Sequence, residues 1–396
     1  MELISCKFRV VTPMFLGDAG SGDSPGPACA DSIRGASVKG ALRAAFRALN
    51  WSRVRAAHHS DEVALKALHH EESELFGSAA SDSKSSGQAR FLLRVKSENF
   101  ATSQDIPGRG AEIEYLLGMG LYHFRNGMAR DHVSPGTEFS LELAIKPQVT
   151  SAQKKQLLDT LKLFGLLGNL GSRARKGFGS VSLLSLKNGN AELPLPATAE
   201  EYKAELKRLL GDSLVADLPP FTAFSQHSRI QISAVEKDAL SLLRKHGSEL
   251  GRYRGFGREV GGEHKTFGKT SEANFRADHD WAYAVAKGKG TANLPKRAVF
   301  GLPHPYRLSM GADIKVDSST ERRASPLFAH VHQLPSGQCL LIHTLMKSVF
   351  LPESAEVKVK TKDQRDIYIK QVNNQVDWSV IDTFLNRFNA RDMIHG

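Results

Sequence analysis

Residues Ile4, Cys6, Phe8 and Val10 alternate with Ser5, Lys7 and Arg9, and this period of two predicts a strand with one buried face. The pattern breaks at Thr12-Pro13, and the stretch from Gly17 to Gly35, dense in Gly, Ser, Asp and Pro, predicts a long loop. A helix follows from about Val38 with Ser37 as its cap. Its Leu42, Phe46 and Leu49 share one face, while Lys39, Arg43 and Arg47 recur at intervals of four on another. A second helix is predicted from Asp61 to Phe76, capped by Ser60 and closed by Gly77. Phe91 to Val95 reads as a short strand, and Phe139, Leu141, Leu143 and Ile145 mark a clearer one beyond an irregular insertion. Helical periodicity returns at Ser151, with Leu157, Leu158, Leu161 and Leu166 on its apolar side, and a strand begins at Val181.

Strand, helices, strand, strand, helix, strand is the split βαβ order of a ferredoxin-like domain. The polar, proline-bearing stretch Asn188 to Ala199 and the breaker Leu218-Pro219-Pro220 place a boundary between them. Further on, Arg229 to Val235 reads as a strand, Glu236 to His246 as a helix, Leu327 to Leu334 with Cys339 to Leu345 as a hairpin, and Asp377 to Phe388 as a last helix. The middle, roughly Gly251 to Lys296, is rich in Gly, Lys, Arg and His and reads as a surface excursion. The expected class is α+β: two ferredoxin-like (RNA-recognition-motif-like) domains with long loop insertions, residues 1–190 and 221–396, joined by a linker region at 191–220.

Charge narrows the function. Lys and Arg number 53 against 42 Asp and Glu, a formal charge of +11, so the surface attracts polyanions. Nucleic acid and acidic membrane surfaces both satisfy that field. No apolar run approaches the roughly 18 residues of a spanning helix, and the first residues read as an amphipathic strand, so a soluble cytoplasmic protein is expected. Cys6, Cys29 and Cys339 lack CxxC spacing, which suggests neither a disulfide framework nor a zinc site; Cys6 reads as core packing. His58, His59, His69 and His70 lie on a polar helical stretch without cysteine partners, and no metal or other cofactor is expected.

Three constellations carry candidate chemistry. Ser37, Lys39, Arg43 and Arg47 set hydroxyl and cationic groups along a helix start, where free N–H groups suit phosphates; an ordinary solvated basic face explains the same spacing. In the loop Gly168 to Gly179, glycines permit positive φ while Ser172, Arg173, Arg175 and Lys176 supply polar and cationic groups. A nucleotide P-loop requires Gly-Lys followed by Ser or Thr, which Lys176-Gly177-Phe178 does not provide, so the loop reads as an RNA-backbone contact. The third is Arg252, Arg254 and Arg258, interleaved with Tyr253 and Phe256 and followed by Lys265, a composition that suits unpaired RNA as well as a solvated protein-contact loop. Asp18, Asp23 and Asp31 raise a hydrolytic alternative, since a carboxylate beside RNA positions a metal or the 2′-hydroxyl. Loop aspartates are more often turn formers.

Thr12-Pro13, Phe15-Leu16-Gly17, SVKGALRAAFRAL from Ser37 and GSRARKGFGS from Gly171, in that order, resemble the RAMP superfamily. In the second half, RAVFGLP (Arg297 to Pro303), RRASPL (Arg322 to Leu327) and KSVFLP (Lys347 to Pro352) are similar to its Cmr subunit one family. The resemblance implies two ferredoxin-like domains and membership in a type III-B CRISPR effector used in antiviral defence. Its partners would be guide RNA near the 3′ end, the 5′ part of the target RNA, and other RAMP subunits. It implies no catalytic residue, although backbone RAMP subunits cut target RNA with an aspartate in the loop after strand one. Three readings follow: an RNA-binding subunit, an endoribonuclease using a loop aspartate on target or precursor RNA, and a structural cap.

Overall fold

The computed structural model describes residues 2–17, 32–78, 87–118, 120–289, 292–308, 313–319, 322–360, 366–389 and 392–396. Strand β1 (Glu2–Val10) forms as its alternation requires, with Ile4, Cys6, Phe8 and Val10 buried and Lys7 and Arg9 half-exposed. It runs antiparallel between β3 (Glu138–Ile145) and β4 (Val181–Asn188), and β2 (Phe91–Glu98) lies outside β3. The order is β2-β3-β1-β4, with the two-residue strand Ala191–Glu192 paired to the outer edge of β4. Helices α1 (Gly35–Ala56), α2 (Asp61–Phe76) and α4 (Ser151–Leu167) supply the apolar side chains that cover one face, and the short α3 (Ala111–Leu117) sits between β2 and β3. The other face carries a charge ladder: Lys7 pairs with Glu138 and Glu98 at 2.7 and 2.9 Å, and Lys96 with Glu142 at 2.5 Å.

Local signals set several boundaries as expected. The Ser60 hydroxyl accepts from the Val63 N–H at the start of α2, and the Gly77 N–H closes it on the Ser73 carbonyl. Thr150 and Gln153 form a capping box at α4. Helix α1 differs from expectation. It begins at Gly35, and the Ser37 and Val38 N–H groups already bond the Arg34 carbonyl, so Ser37 lies within the first turn and caps nothing.

The second half repeats the order. Strand β5 (Arg229–Glu236) lies between β7 (Cys339–Leu345) and β8 (Asp392–His395), with β6 (Leu327–Gln333) outside β7, all antiparallel. The hairpin of β6 and β7 is the expected one; β8 is an addition to the sequence reading. Segment 191–220, expected to be a linker region, contains α5 (Ala199–Leu210), capped by Thr198 and burying Tyr202 and Leu206. Helix α6 (Ala239–Arg254) runs two turns beyond its expected end at His246. The expected excursion from Gly251 is structured: it holds the last turn of α6, a small meander over 258–270 and α7 (Arg276–Ala286), with Tyr253, Phe275, Ala282 and Val285 buried. The last helix, α8, is shorter than expected at Ser379–Leu385. A separate sheet of His304–Arg307, Asp313–Ser318, Val357–Lys360 and Ile367–Ile369 shares a core with α7.

Helix α4 joins the two halves. Leu157, Leu161 and Phe164 enter the first core, whereas Leu163 and Leu166 pack with Tyr202, Ile230, Ile232, Leu340 and Ile342. The opposite face of the second sheet packs on α6 and α8. Both faces of that sheet are therefore dry, which holds the glycine-rich loop and the second half in one fixed relation. Among the described residues, no helix is long and apolar enough to cross a membrane.

Candidate nucleic-acid interface

The glycine-rich loop is pinned on two sides. Thr12 Oγ1 donates to the Gly177 carbonyl at 2.7 Å and accepts from the Ser180 N–H at 2.9 Å, while the Gly179 N–H donates to Pro13 O and the Ser172 N–H to Phe15 O. The Thr-Pro and glycine-rich motifs therefore meet in space. On the other side, the Ala329 N–H donates to Arg175 O at 3.1 Å, and Asn169 Nδ2 donates to Ala329 O at 2.8 Å, so the loop lies along β6. Gly179 is required here: its φ is +64°, and a Cβ at that position would stand 1.9 Å from the Leu170 carbonyl oxygen.

Held this way, the loop forms one wall of a cleft of about 610 Å³, closed by α6, residues 300–304 and residues 322–327. Arg173, Arg175, Lys176, Arg254, Arg322 and Arg323 line it, and among the described residues no carboxylate does. Among the described residues, the partners of these cations are neutral. Arg173 Nε donates to Leu117 O at 2.6 Å, Arg175 donates to Ser325 O and lies 4.5 Å over Phe328, and Arg323 donates to Ser348 Oγ at 2.6 Å. Arg254 lies 4.6 Å over Phe300, and the Lys176 ammonium 5.7 Å from the Tyr115 ring. These contacts orient the cations without cancelling charge.

Burial, and then neighbouring cations, lower the proton affinity of several groups in the cleft. Burial first, then Arg254 and Arg173, bring the Lys176 amine down to about 7. Burial and Arg323 lower the Arg175 guanidinium to about 10, and burial followed by Arg322 and Arg130 lowers Arg173. His246, buried beside Lys176, falls to about 3, and His304 is pushed well below its ordinary value by burial and then by Arg254 and Arg297. An anion placed in the cleft would oppose each of these shifts.

The residues singled out from sequence divide clearly. Arg173, Arg175, Lys176 and Arg254 converge on the cleft. Ser172 stands beside it, its hydroxyl accepting from Arg130. Arg43 and Arg47 are turned to α2, where both pair with Glu72, whose side chain is 1% exposed. Lys39 is half-buried on α1, apart from the cleft, and burial followed by Arg43 lowers its pKa. Arg252 pairs with Glu249 and Glu272, and Arg258 and Lys265 lie opposite each other on the meander. Tyr253 is a core residue whose hydroxyl donates to Val380 O, and Phe256 stacks on His279 at 3.7 Å, so neither ring stands as a free platform for a base. Asp18, Asp23 and Asp31 lie outside the described residues. The cleft adds Arg322, Arg323, His246 and His304. RRASPL signalled the first pair only through its likeness to a family motif, and no local pattern marks the two histidines.

Residues 7–182 match the model of the RAMP superfamily. No curated protein sequence matches the chain. Among solved structures, the chain is similar to the crystal structure of apo Cmr1 from Pyrococcus furiosus, with 19% identity and a TM-score of 0.56 over 100% of this chain and 99% of that one. That likeness shows a shared fold. A chain in the cryo-EM structure of type III-B Cmr-beta bound to cognate target RNA aligns at 12% identity and a TM-score of 0.47 over 98% of both.

Proposed function

We propose that this chain is a RAMP protein acting as a non-catalytic RNA-binding subunit of a type III-B CRISPR effector complex in the cytoplasm. Its two strand sets, each ordered second-third-first-fourth, support a reading as two ferredoxin-like units, and the Cmr1 likeness supports the subunit assignment. Guide RNA near its 3′ end, the 5′ part of the target, and other RAMP subunits would be its partners.

The observation that carries the proposal is the cleft. Six cations from three segments of the chain face one concavity with no carboxylate among its described lining residues, whereas Lys7 and Lys96 on the outer face of the first sheet are paired. Clustering unpaired charges costs stability, and an anionic strand offsets that cost by supplying counter-charge. The Arg175 and Arg254 guanidiniums lie over aromatic rings, and a guanidinium held on a ring face suits phosphate oxygens at its N–H groups.

The test is binding of the purified chain to labelled single-stranded RNA, with Arg173→Ala/Arg175→Ala as the variant and RNA integrity followed on gels with and without Mg²⁺. The double variant should weaken binding at least tenfold while circular dichroism and melting show a folded chain, and the RNA should stay intact. Unchanged affinity in the folded variant would remove the loop from the interface. Discrete products that vanish in Asp31→Ala would make the chain an endoribonuclease.

A further inference from the structure

Four buried polar side chains run in line from the second sheet to the cleft floor. Gln231 and Ser233 of β5, His343 of β7 and His246 of α6 are each no more than 1% exposed. Gln231 Nε2 lies 2.9 Å from Ser233 Oγ, Ser233 Oγ 2.6 Å from His343 Nδ1, and His343 Nε2 2.9 Å from His246 Nδ1. The remaining atom, His246 Nε2, is buried without a hydrogen-bond partner, and His246 lines the cleft.

The proton positions along this line are determined by its far end. Gln231 Oε1 accepts from Arg229 at 2.9 and 3.1 Å, and Gln231 Nε2 also donates to Leu385 O at 3.1 Å, which fixes the amide orientation. The second Nε2 hydrogen therefore goes to Ser233 Oγ. The Ser233 hydroxyl hydrogen has no acceptor among the described residues except His343 Nδ1. With Nδ1 accepting, a neutral His343 carries its proton on Nε2 and donates it to His246 Nδ1. His246 must then carry its own proton on Nε2, as a donor at the cleft floor. Arg254 Nε, Arg323 Nε and His304 Nε2 line the same cleft and likewise lack partners.

We propose that His246 Nε2–H, presented by this relay, is a neutral donor that seats one phosphate oxygen at the cleft floor, with Arg254 and Arg323 neutralising the phosphate charge. The inference rests on the RNA reading of the cleft and adds to it a positional element independent of net charge. A neutral donor held by a buried line of hydrogen bonds positions a phosphate oxygen without adding to the salt dependence, whereas the cations also supply counter-charge. Gln231, Ser233 and His343 are positioning residues: they touch no phosphate and set the tautomer that does.

Charge separates the two claims experimentally. His246→Phe keeps an aromatic ring of similar shape and removes the Nε2 donor together with the Nδ1 acceptor of His343, so RNA affinity of the folded variant should fall about tenfold at every salt concentration with the salt slope unchanged. Arg175→Ala should flatten the slope instead. A folded His246→Phe chain that binds as tightly as the parent would overturn the inference and leave the RNA reading standing; loss of all salt-dependent binding by the parent would overturn that reading itself. Should His246→Phe not fold, the parent chain with ¹⁵N-labelled histidine answers the same question. Long-range ¹H–¹⁵N spectra should show His246 protonated at Nε2, with its resonance moving on addition of inorganic phosphate. A proton on Nδ1, or no movement while other cleft resonances shift, would refute the seat. Ser233→Ala should weaken RNA binding and shift the His246 tautomer together; weaker binding with the tautomer unchanged would refute the positioning role.

Discussion

If RNA occupies the cleft as proposed, Lys176 should make its affinity depend on pH in a window where few proteins titrate a lysine. Its amine, held at about 7 by burial and by Arg254 and Arg173, is about one-tenth protonated at pH 8 in the free chain and mostly protonated at pH 6. A phosphate in the cleft adds a negative neighbour and returns the amine toward its ordinary range, so binding at pH 8 takes up about 0.9 proton. The sign follows: the charged form binds, so affinity falls as pH rises through 7, by about tenfold or ~1.4 kcal/mol between pH 6 and pH 8. The groups facing Lys176 do not blur the window. His246 at about 3 is neutral throughout, and the Tyr115 ring acts through its face. Fluorescence anisotropy of labelled single-stranded RNA from pH 6 to 8.5 at constant ionic strength measures the effect. Lys176→Arg should bind with a nearly flat profile. A flat profile in the parent chain, or an unchanged slope in Lys176→Arg, would refute the reasoning.

Two buried histidines make the fold acid-sensitive: His246 at about 3, at the cleft, and His332 at about 4, on β6 beside Ser182 and Tyr202, bind protons far more weakly than in the unfolded chain. The unfolded state therefore takes up more protons as pH falls below about 6.5, and urea unfolding at pH 5 should show a loss of up to ~2 kcal/mol per histidine relative to pH 7.5; equal midpoints at the two pH values would contradict this. Gly179→Ala forces a Cβ against the Leu170 carbonyl at positive φ and should lower stability by more than ~2 kcal/mol, seen as a drop in melting temperature. Arg43→Ala leaves buried Glu72 with only the longer Arg47 contact, so it should cost about 3 kcal/mol of stability yet change RNA affinity less than twofold at a temperature where the chain is folded. A stable Arg43→Ala variant with tenfold weaker binding would instead return α1 to the interface.

Much of the scaffold is written locally. The alternation of Ile4, Cys6, Phe8 and Val10, the Ser60 cap and the β6–β7 hairpin depend on near neighbours and are found where sequence places them. What sequence obscures is made by long-range packing. Gly247 interrupts the apolar pattern of α6 and reads as a stop, but its missing side chain lets α3 approach: a Cβ there would stand 2.5 Å from the Glu112 carbonyl oxygen. Helix α7 is hidden within a basic, glycine-rich stretch because only Ala282 and Val285 are fully buried on its apolar side. Strand β8 is four residues long and gains its identity from pairing with β5. The cleft is legible only in part. Arg173, Arg175 and Lys176 stand together in one motif, but Arg254, Arg322 and Arg323 reach them through the docking of the loop on β6. Basic spacing on α1 pointed equally to phosphate, and only the buried Glu72 reveals that Arg43 and Arg47 serve the fold.

The central claim is that RNA occupies the cationic cleft, and the salt dependence of binding tests it most directly. For single-stranded RNA, log affinity against log salt should fall with a slope near −0.7 per phosphate neutralised, so three to six occupied cations predict about −2 to −4. Removing Arg175 or Arg323 should each reduce that slope by about 0.7. Weak binding without salt dependence, or a steep slope that neither substitution changes in folded protein, would place the RNA elsewhere and contradict the account.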